Sequence, residues 1–135
     1  MLCPDKGHGM TYLIVFLGGG IGAALRHGVN QAAMRLAGIT FPWGTLTVNV
    51  AGSLLMGILA GWFAFRGDAA QAWRLFLTTG ILGGFTTFSA FSLDTIALVE
   101  RGQPAMAAFY AVLSVAASLA ALAGGLWVIR SLGSA

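Results

Sequence analysis

The segment Gly83-Gly84-Phe85-Thr86-Thr87-Phe88-Ser89-Ala90-Phe91-Ser92 lies in the middle of an apolar run from Ala72 to Val99. A run of that length reads as a membrane-crossing helix. Paired glycines and a Thr-Thr step are nonetheless poor helix material, Gly alone costing about 1 kcal/mol per residue against Ala. Hydrocarbon tolerates broken backbone only where it is buried in protein or lines a polar cavity. A helix broken at mid-membrane frees carbonyls and hydroxyls at a depth where ions are otherwise excluded. The segment therefore points to an ion site.

The rest of the chain is built to match. Of its 135 residues 58% are apolar and 8% charged, against about 45–50% and about 25% in soluble domains. Four stretches reach the roughly 20 residues needed to cross a bilayer: Tyr12–Met34, Trp43–Phe65, Ala72–Val99 and Pro104–Ile129. The expected fold is all-α, a single transmembrane domain over residues 1–135, with helices at about 11–35, 43–65, 72–100 and 104–130 and a flexible tail over residues 1–10. The first span is too long for a signal-peptide core and lacks a small-residue cleavage site, so it is read as retained. Pro42 restricts Phe41 to extended backbone before helix 2, and Pro104 suits the first position of helix 4.

Small residues mark where helices approach. Gly18 and Gly22 are spaced as a small-xxx-small face on helix 1, and Gly52, Gly57 and Gly61 recur along helix 2. Gly18-x-Gly20-x-x-Ala23 also matches the dinucleotide fingerprint formally, but no strand precedes it and no β-α-β unit surrounds it.

Charge excludes some functions and leaves others open. The formal charge of +3 comes from seven cations, Lys6, Arg26, Arg35, Arg66, Arg74, Arg101 and Arg130, which flank the spans. They form no basic stripe with interleaved aromatics, so no nucleic-acid partner is expected. Lys6, Arg66, Arg74 and Arg130 fall on one side of the membrane and Arg26, Arg35 and Arg101 on the other. Positive charge on the cytoplasmic side normally decides insertion, so this near balance permits both orientations. Cys3 is the only cysteine, so no intrachain disulfide can form. No nucleophile–base pair and no cluster of metal ligands is present, which argues against an enzyme.

Polar residues at four-residue spacing fall on one helix face. Helix 2 carries Thr45, Asn49 and Ser53; helix 4 carries Tyr110, Ser114 and Ser118; helix 3 presents Phe88 and Phe91 just after its break. A membrane Ser or Thr can simply bond its own backbone or a neighbouring helix, but a primary amide such as Asn49 needs several partners. Asn49 and the hydroxyls of Thr45, Ser114 and Tyr110 are neutral donors, and the positive ring edges of Phe88 and Phe91 can also face an anion. Such groups replace a hydration shell without trapping the ion, as conduction requires. The rival reading, a small dual-topology proton-coupled multidrug exporter, needs a titratable carboxylate inside the membrane. Helix 1 has none, and Asp94 is the only acidic candidate well inside a span.

Three blocks strongly resemble the Fluc family of bacterial fluoride channels: Gly19-Gly20-Ile21-Gly22-Ala23-Ala24-Leu25-Arg26, Gly44-Thr45-Leu46-Thr47-Val48-Asn49 with Gly52-Ser53, and Gly83 through Ser92. With Tyr110, Ser114 and Ser118 in register, the resemblance covers about residues 18–118. It implies an antiparallel, dual-topology homodimer of four-helix subunits with a broken helix 3 and two fluoride pores, passively exporting toxic fluoride across the bacterial cytoplasmic (inner) membrane. It implies a fluoride path along Phe88, Phe91, Asn49, Ser114, Thr45, Tyr110 and Ser118, with Arg26 at the vestibule. It also implies a structural Na⁺ on the dimer axis, held by main-chain carbonyls of Gly83 and Thr86 from both chains. Asp94 stands where the family commonly has Glu, one methylene shorter, which leaves its pore role open; His27 follows Arg26 where an aromatic is frequent.

Overall fold

The computed structural model describes residues 6–65 and 71–133. Residues 1–5 of the expected tail and the Arg66-Gly67-Asp68 link lie outside the described residues. All described elements are helical. α1 spans Lys6–Ala37 and α2 spans Trp43–Ala64. The third crossing starts as α-helix at Gln71–Arg74, widens to π-helix over Leu75–Leu82 and returns to α-helix at Gly83–Phe85; these pieces, 71–85, are called α3. α4 spans Phe88–Glu100 and α5 spans Pro104–Gly133. Residues 6–10, expected as tail, thus continue α1. Once an apolar span nucleates a helix, each further residue adds a hydrogen bond at little entropic cost.

Local chemistry sets the ends. Gly38 closes α1 with φ 80° and donates its N–H to the Met34 carbonyl at 3.1 Å, a left-handed geometry that glycine adopts without Cβ strain. The turn between α4 and α5 is a Schellman motif: Gly102, at φ 74°, bonds the Val99 carbonyl and Gln103 bonds that of Leu98. Pro104 then opens α5, where its missing N–H has no helical partner to lose.

Among the described residues, four helical stretches are long and apolar enough to cross a membrane: Gly9–Ala37, Trp43–Ala64, Gln71–Glu100 and Pro104–Gly133. Two close helix pairs organise them. α2 packs along α5, where a Cβ on Gly57 would run into the Leu122 carbonyl. α1 packs along α3, where a Cβ on Gly18 would come within 2.7 Å of the Phe76 carbonyl and one on Gly22 would strike that of Ile81. The Gly18/Gly22 face thus meets the π-helical stretch. That stretch is a departure from the continuous α-helix expected there, and it presents its backbone directly to α1.

The buried core is thin. Leu46, Leu98, Ala107 and the fully buried Tyr110 form one cluster, with Phe41, Val50, Phe91 and Leu113 packed against it; Val48, Phe63 and Leu82 are buried as well. Large apolar residues such as Phe16 and Trp127, 76% and 70% exposed, face outward. In water such a surface would be untenable; facing lipid, it is ordinary.

Candidate functional site at the interruption of the third crossing

The helix ending at Phe85 and the one starting at Phe88 are separated by two extended residues, Thr86 (φ −77°, ψ 158°) and Thr87 (φ −155°, ψ 121°). Extended backbone inside a bilayer must find hydrogen-bond partners beyond its own helix. Asn49, on α2, supplies two. Its Oδ1 accepts from the Thr87 N–H at 2.7 Å and its Nδ2 donates to the Thr87 carbonyl at 3.0 Å. An amide has a second N–H, and Asn49 lines the adjoining cleft. Thr87 also caps α4, its Oγ1 accepting from the Ala90 N–H at 3.2 Å.

The cleft, about 300 Å³, is lined by Asn49 and Ser53 of α2, Thr86 and Thr87, Phe88 and Phe91 of α4, and Ser114 and Ser118 of α5. The rings of Phe88 and Phe91 lie 5.4 Å apart, tilted by 45°. Five of the residues expected along the path, Asn49, Phe88, Phe91, Ser114 and Ser118, therefore meet here. The N-terminus of α4 opens at the same place, and the N–H groups of a first helical turn have no earlier carbonyl to bond.

The hydroxyls divide into two kinds. Those of Thr78, Thr86, Ser92 and Thr95 each donate to the carbonyl four residues earlier, at 2.6–3.0 Å, the self-satisfied state of a membrane hydroxyl. Ser114 behaves differently. It is 4% exposed, and its Oγ lies beside the Tyr110 hydroxyl without completing a hydrogen bond of ordinary geometry.

Thr45 and Asp94 are placed apart from that group. They line a second cavity of about 510 Å³ that also takes in His27, Asn30, Gln31 and Arg101. Tyr110 stands between the two spaces. Its ring lies 5.4 Å from that of Phe91 and edge-on to that of Phe41 at 5.5 Å, while its hydroxyl donates to Asp94 Oδ2 at 3.4 Å. Arg26 lines neither cavity; its Nη1 donates to the Thr86 carbonyl at 3.3 Å. The second cavity was not anticipated from the sequence, although His27, Asn30 and Gln31 recur at helical spacing on α1. Among the described residues no group of three or more His, Cys, Asp or Glu could hold a metal.

Comparison with known proteins supplies the context. The family model for CrcB-like protein, Camphor Resistance (CrcB), matches residues 13–126. A protein of Methylobacterium nodulans named fluoride-specific ion channel FluC is 63% identical over 124 residues, 92% of this chain and 99% of the relative. One from Nitrobacter hamburgensis, named fluoride-specific ion channel FluC 2, is 56% identical over 123 residues, 91% of this chain and 99% of its own. A third, the fluoride-specific ion channel FluC of Hyphomonas neptunium, is 53% identical over 120 residues, covering 88% and 94%.

Proposed function

This chain belongs to the CrcB-like protein family and is a multi-pass bacterial membrane protein; we propose that it is a passive, fluoride-selective channel that lets a cell lose fluoride down its gradient. The relatives are named as ion channels, and the cleft supports the same reading for this chain. The observation that carries it is the buried Ser114 hydroxyl, which completes no hydrogen bond of ordinary geometry, in a cleft shared with the Asn49 amide and the Phe88 and Phe91 rings. A buried donor without an acceptor costs about 1–3 kcal/mol. An anion passing through the cleft is the acceptor.

Selectivity follows from the lining. Stripping an anion of water is expensive unless its hydrogen bonds are replaced. Neutral donors, ring edges and the positive end of α4 replace them without a fixed cation that would hold the ion. The smallest halide gains most. Fluoride approaches the cleft, passes Phe88 and Phe91, and meets the hydroxyls of Ser114 and Ser118. Tyr110 stands between that space and the cavity of Thr45 and Asp94 on the other side of the aromatic wall.

The assembly is part of the proposal. Two chains inserted in opposite orientations form a homodimer with one path per subunit, consistent with the near-even split of flanking cations. The dimer places the two interruptions at mid-membrane, where main-chain oxygens of Gly83 and Thr86 from each chain would hold a structural Na⁺. The donor set fits such an ion. The Thr87 N–H that would serve the Gly83 carbonyl in a continuous helix is taken by Asn49, and a carbonyl has two lone pairs, so the bond from Arg26 leaves Thr86 a second. The bound ion would neutralise converging carbonyl dipoles.

Fluoride efflux from liposomes holding the purified protein, with chloride as the comparison, tests the channel. Fluoride should leave the vesicles rapidly and chloride should be nearly retained. Comparable chloride efflux, or no fluoride efflux, overturns the proposal.

A further inference from the structure

We infer that Arg26 is a positioning residue, holding the Thr86 carbonyl and so the extended step that aims Phe88 and Phe91 into the cleft. Its role as an attractor of anions at the pore mouth is not what this geometry supports, since Arg26 lines neither cavity. The inference rests on the channel reading above for its functional consequence, but not for its structural claim.

Thr86 and Thr87 carry four backbone polar groups between them. The Thr86 N–H reaches back to the Leu82 carbonyl at 3.0 Å, and Asn49 takes both groups of Thr87. The Thr86 carbonyl is the one that remains, and Arg26 Nη1 donates to it at 3.3 Å. Each side of the extended step is therefore held by a different neighbouring helix, Thr86 by α1 and Thr87 by α2.

The aim of Arg26 comes from glycine. Gly22 lies one turn earlier on the same face of α1. A Cβ there would strike the Ile81 carbonyl and come within 2.8 Å of the Phe85 nitrogen. The two backbones are thus in contact at Ile81–Phe85, and the next turn of α1 arrives beside Thr86. At that depth a carbonyl short of partners is costly; the guanidinium takes one of its two lone pairs and leaves the other for the proposed Na⁺. Were the bond absent, Thr86 could turn to helical geometry and the start of α4 would turn with it.

Hydrogen exchange over residues 83–92 of the purified, assembled protein tests the inference. It is compared for wild type, Arg26→Met, which keeps the apolar stem, and Arg26→Lys, which keeps the charge. In Arg26→Met the Thr87 and Ala90 amides should exchange about 10- to 100-fold faster, the loss expected for a hydrogen bond from a charged donor, with α5 unchanged. In liposomes the same variant should lose fluoride-over-chloride selectivity, and the loss should persist in 1 M salt, where the Debye length falls to about 3 Å and an attractor would be screened. Wild-type exchange in Arg26→Met, or a defect that disappears in high salt, overturns the inference. Should Arg26→Met fail to assemble, Arg26→Lys decides: faster exchange at residues 87–90 supports the brace, and wild-type exchange overturns it, because the ammonium sits one atom nearer the backbone and falls short of a carbonyl that Nη1 reaches only at 3.3 Å. Absence of fluoride efflux from wild type counts against the channel reading alone, since the exchange comparison does not depend on transport.

Discussion

Replacing Asn49 by Ala should cost both stability and transport, by amounts that the geometry sets. The substitution removes the acceptor of the Thr87 N–H at 2.7 Å and the donor to its carbonyl at 3.0 Å. Two buried backbone groups without partners cost about 1–3 kcal/mol each, hence roughly 2–6 kcal/mol together. Water in the adjoining cleft can bind the carbonyl again, which brings the expected loss to about 1–3 kcal/mol. The chain can also respond by returning the Thr87 N–H to the Gly83 carbonyl. Each residue that passes from strand-like to helical rise shortens the crossing by about 1.8 Å, so two residues would draw α4 in by roughly 3.6 Å and swing Phe88 and Phe91 away from Ser114. The assays are unfolding of the detergent-solubilised protein, fluoride efflux from liposomes, and the same pair of measurements on Asn49→Asp. Aspartate retains the acceptor for the N–H but sets a carboxylate against the Thr87 carbonyl, so its stability should fall between wild type and Asn49→Ala. Wild-type stability and flux in Asn49→Ala would refute the reasoning, as would equal losses in the two variants.

Other perturbations separate packing from conduction. Ser114→Ala should not lower stability and should raise it by up to about 3 kcal/mol, because it removes a buried donor that completes no ordinary hydrogen bond, yet reduce fluoride efflux at least about tenfold, the worth of one hydrogen bond of about 1.4 kcal/mol; unchanged efflux would show that the hydroxyl does not meet the ion. Phe88→Ile and Phe91→Ile should each cut fluoride flux strongly while the protein still elutes as the assembled species, since an aliphatic side chain has no positive edge; wild-type flux from both would remove the rings from the path. Gly22→Ala should destabilise by about 1–3 kcal/mol or more, because its Cβ would press on the Ile81 carbonyl rather than on a movable side chain; a thermal scan matching wild type would mean that α1 and α3 can separate freely.

What the sequence makes legible here follows from physical range. The four crossings are set by runs of twenty or more apolar residues, and no tertiary contact is needed to recognise them. Pro104 and the Gly18/Gly22 face act through strictly local rules, one on its own N–H and one on the space around its own Cα. The meeting of Asn49, Phe88, Phe91, Ser114 and Ser118 can be anticipated because each lies on a polar or aromatic face with helical spacing. Other features depend on what stands opposite. Thr45 shares a face with Asn49 in sequence, yet it lines the second cavity, because the buried Tyr110 and its contacts with Phe91 and Asp94 wall the two spaces apart. The π-helical stretch has no marker in its own residues; the partner glycines that accept its backbone lie some sixty residues earlier in α1. Arg26 reads as a vestibule charge until the position of Thr86 is known.

The hydrogen bonds around Thr86 and Thr87 also say something about the order in which the protein is made. Both outside partners, Arg26 and Asn49, precede the threonines in the chain. Synthesis delivers the N-terminal segments first, so the two crossings that carry these side chains are in place before the third leaves the ribosome. A nascent third crossing entering bare lipid would have every reason to close into an unbroken helix. Entering beside its predecessors, it meets an amide and a guanidinium already waiting for the two residues it must leave open. A permuted gene that delivers the crossings containing Arg26 and Asn49 last would remove that template, and its product should be trapped with a continuous third helix even though every contact of the finished protein remains available.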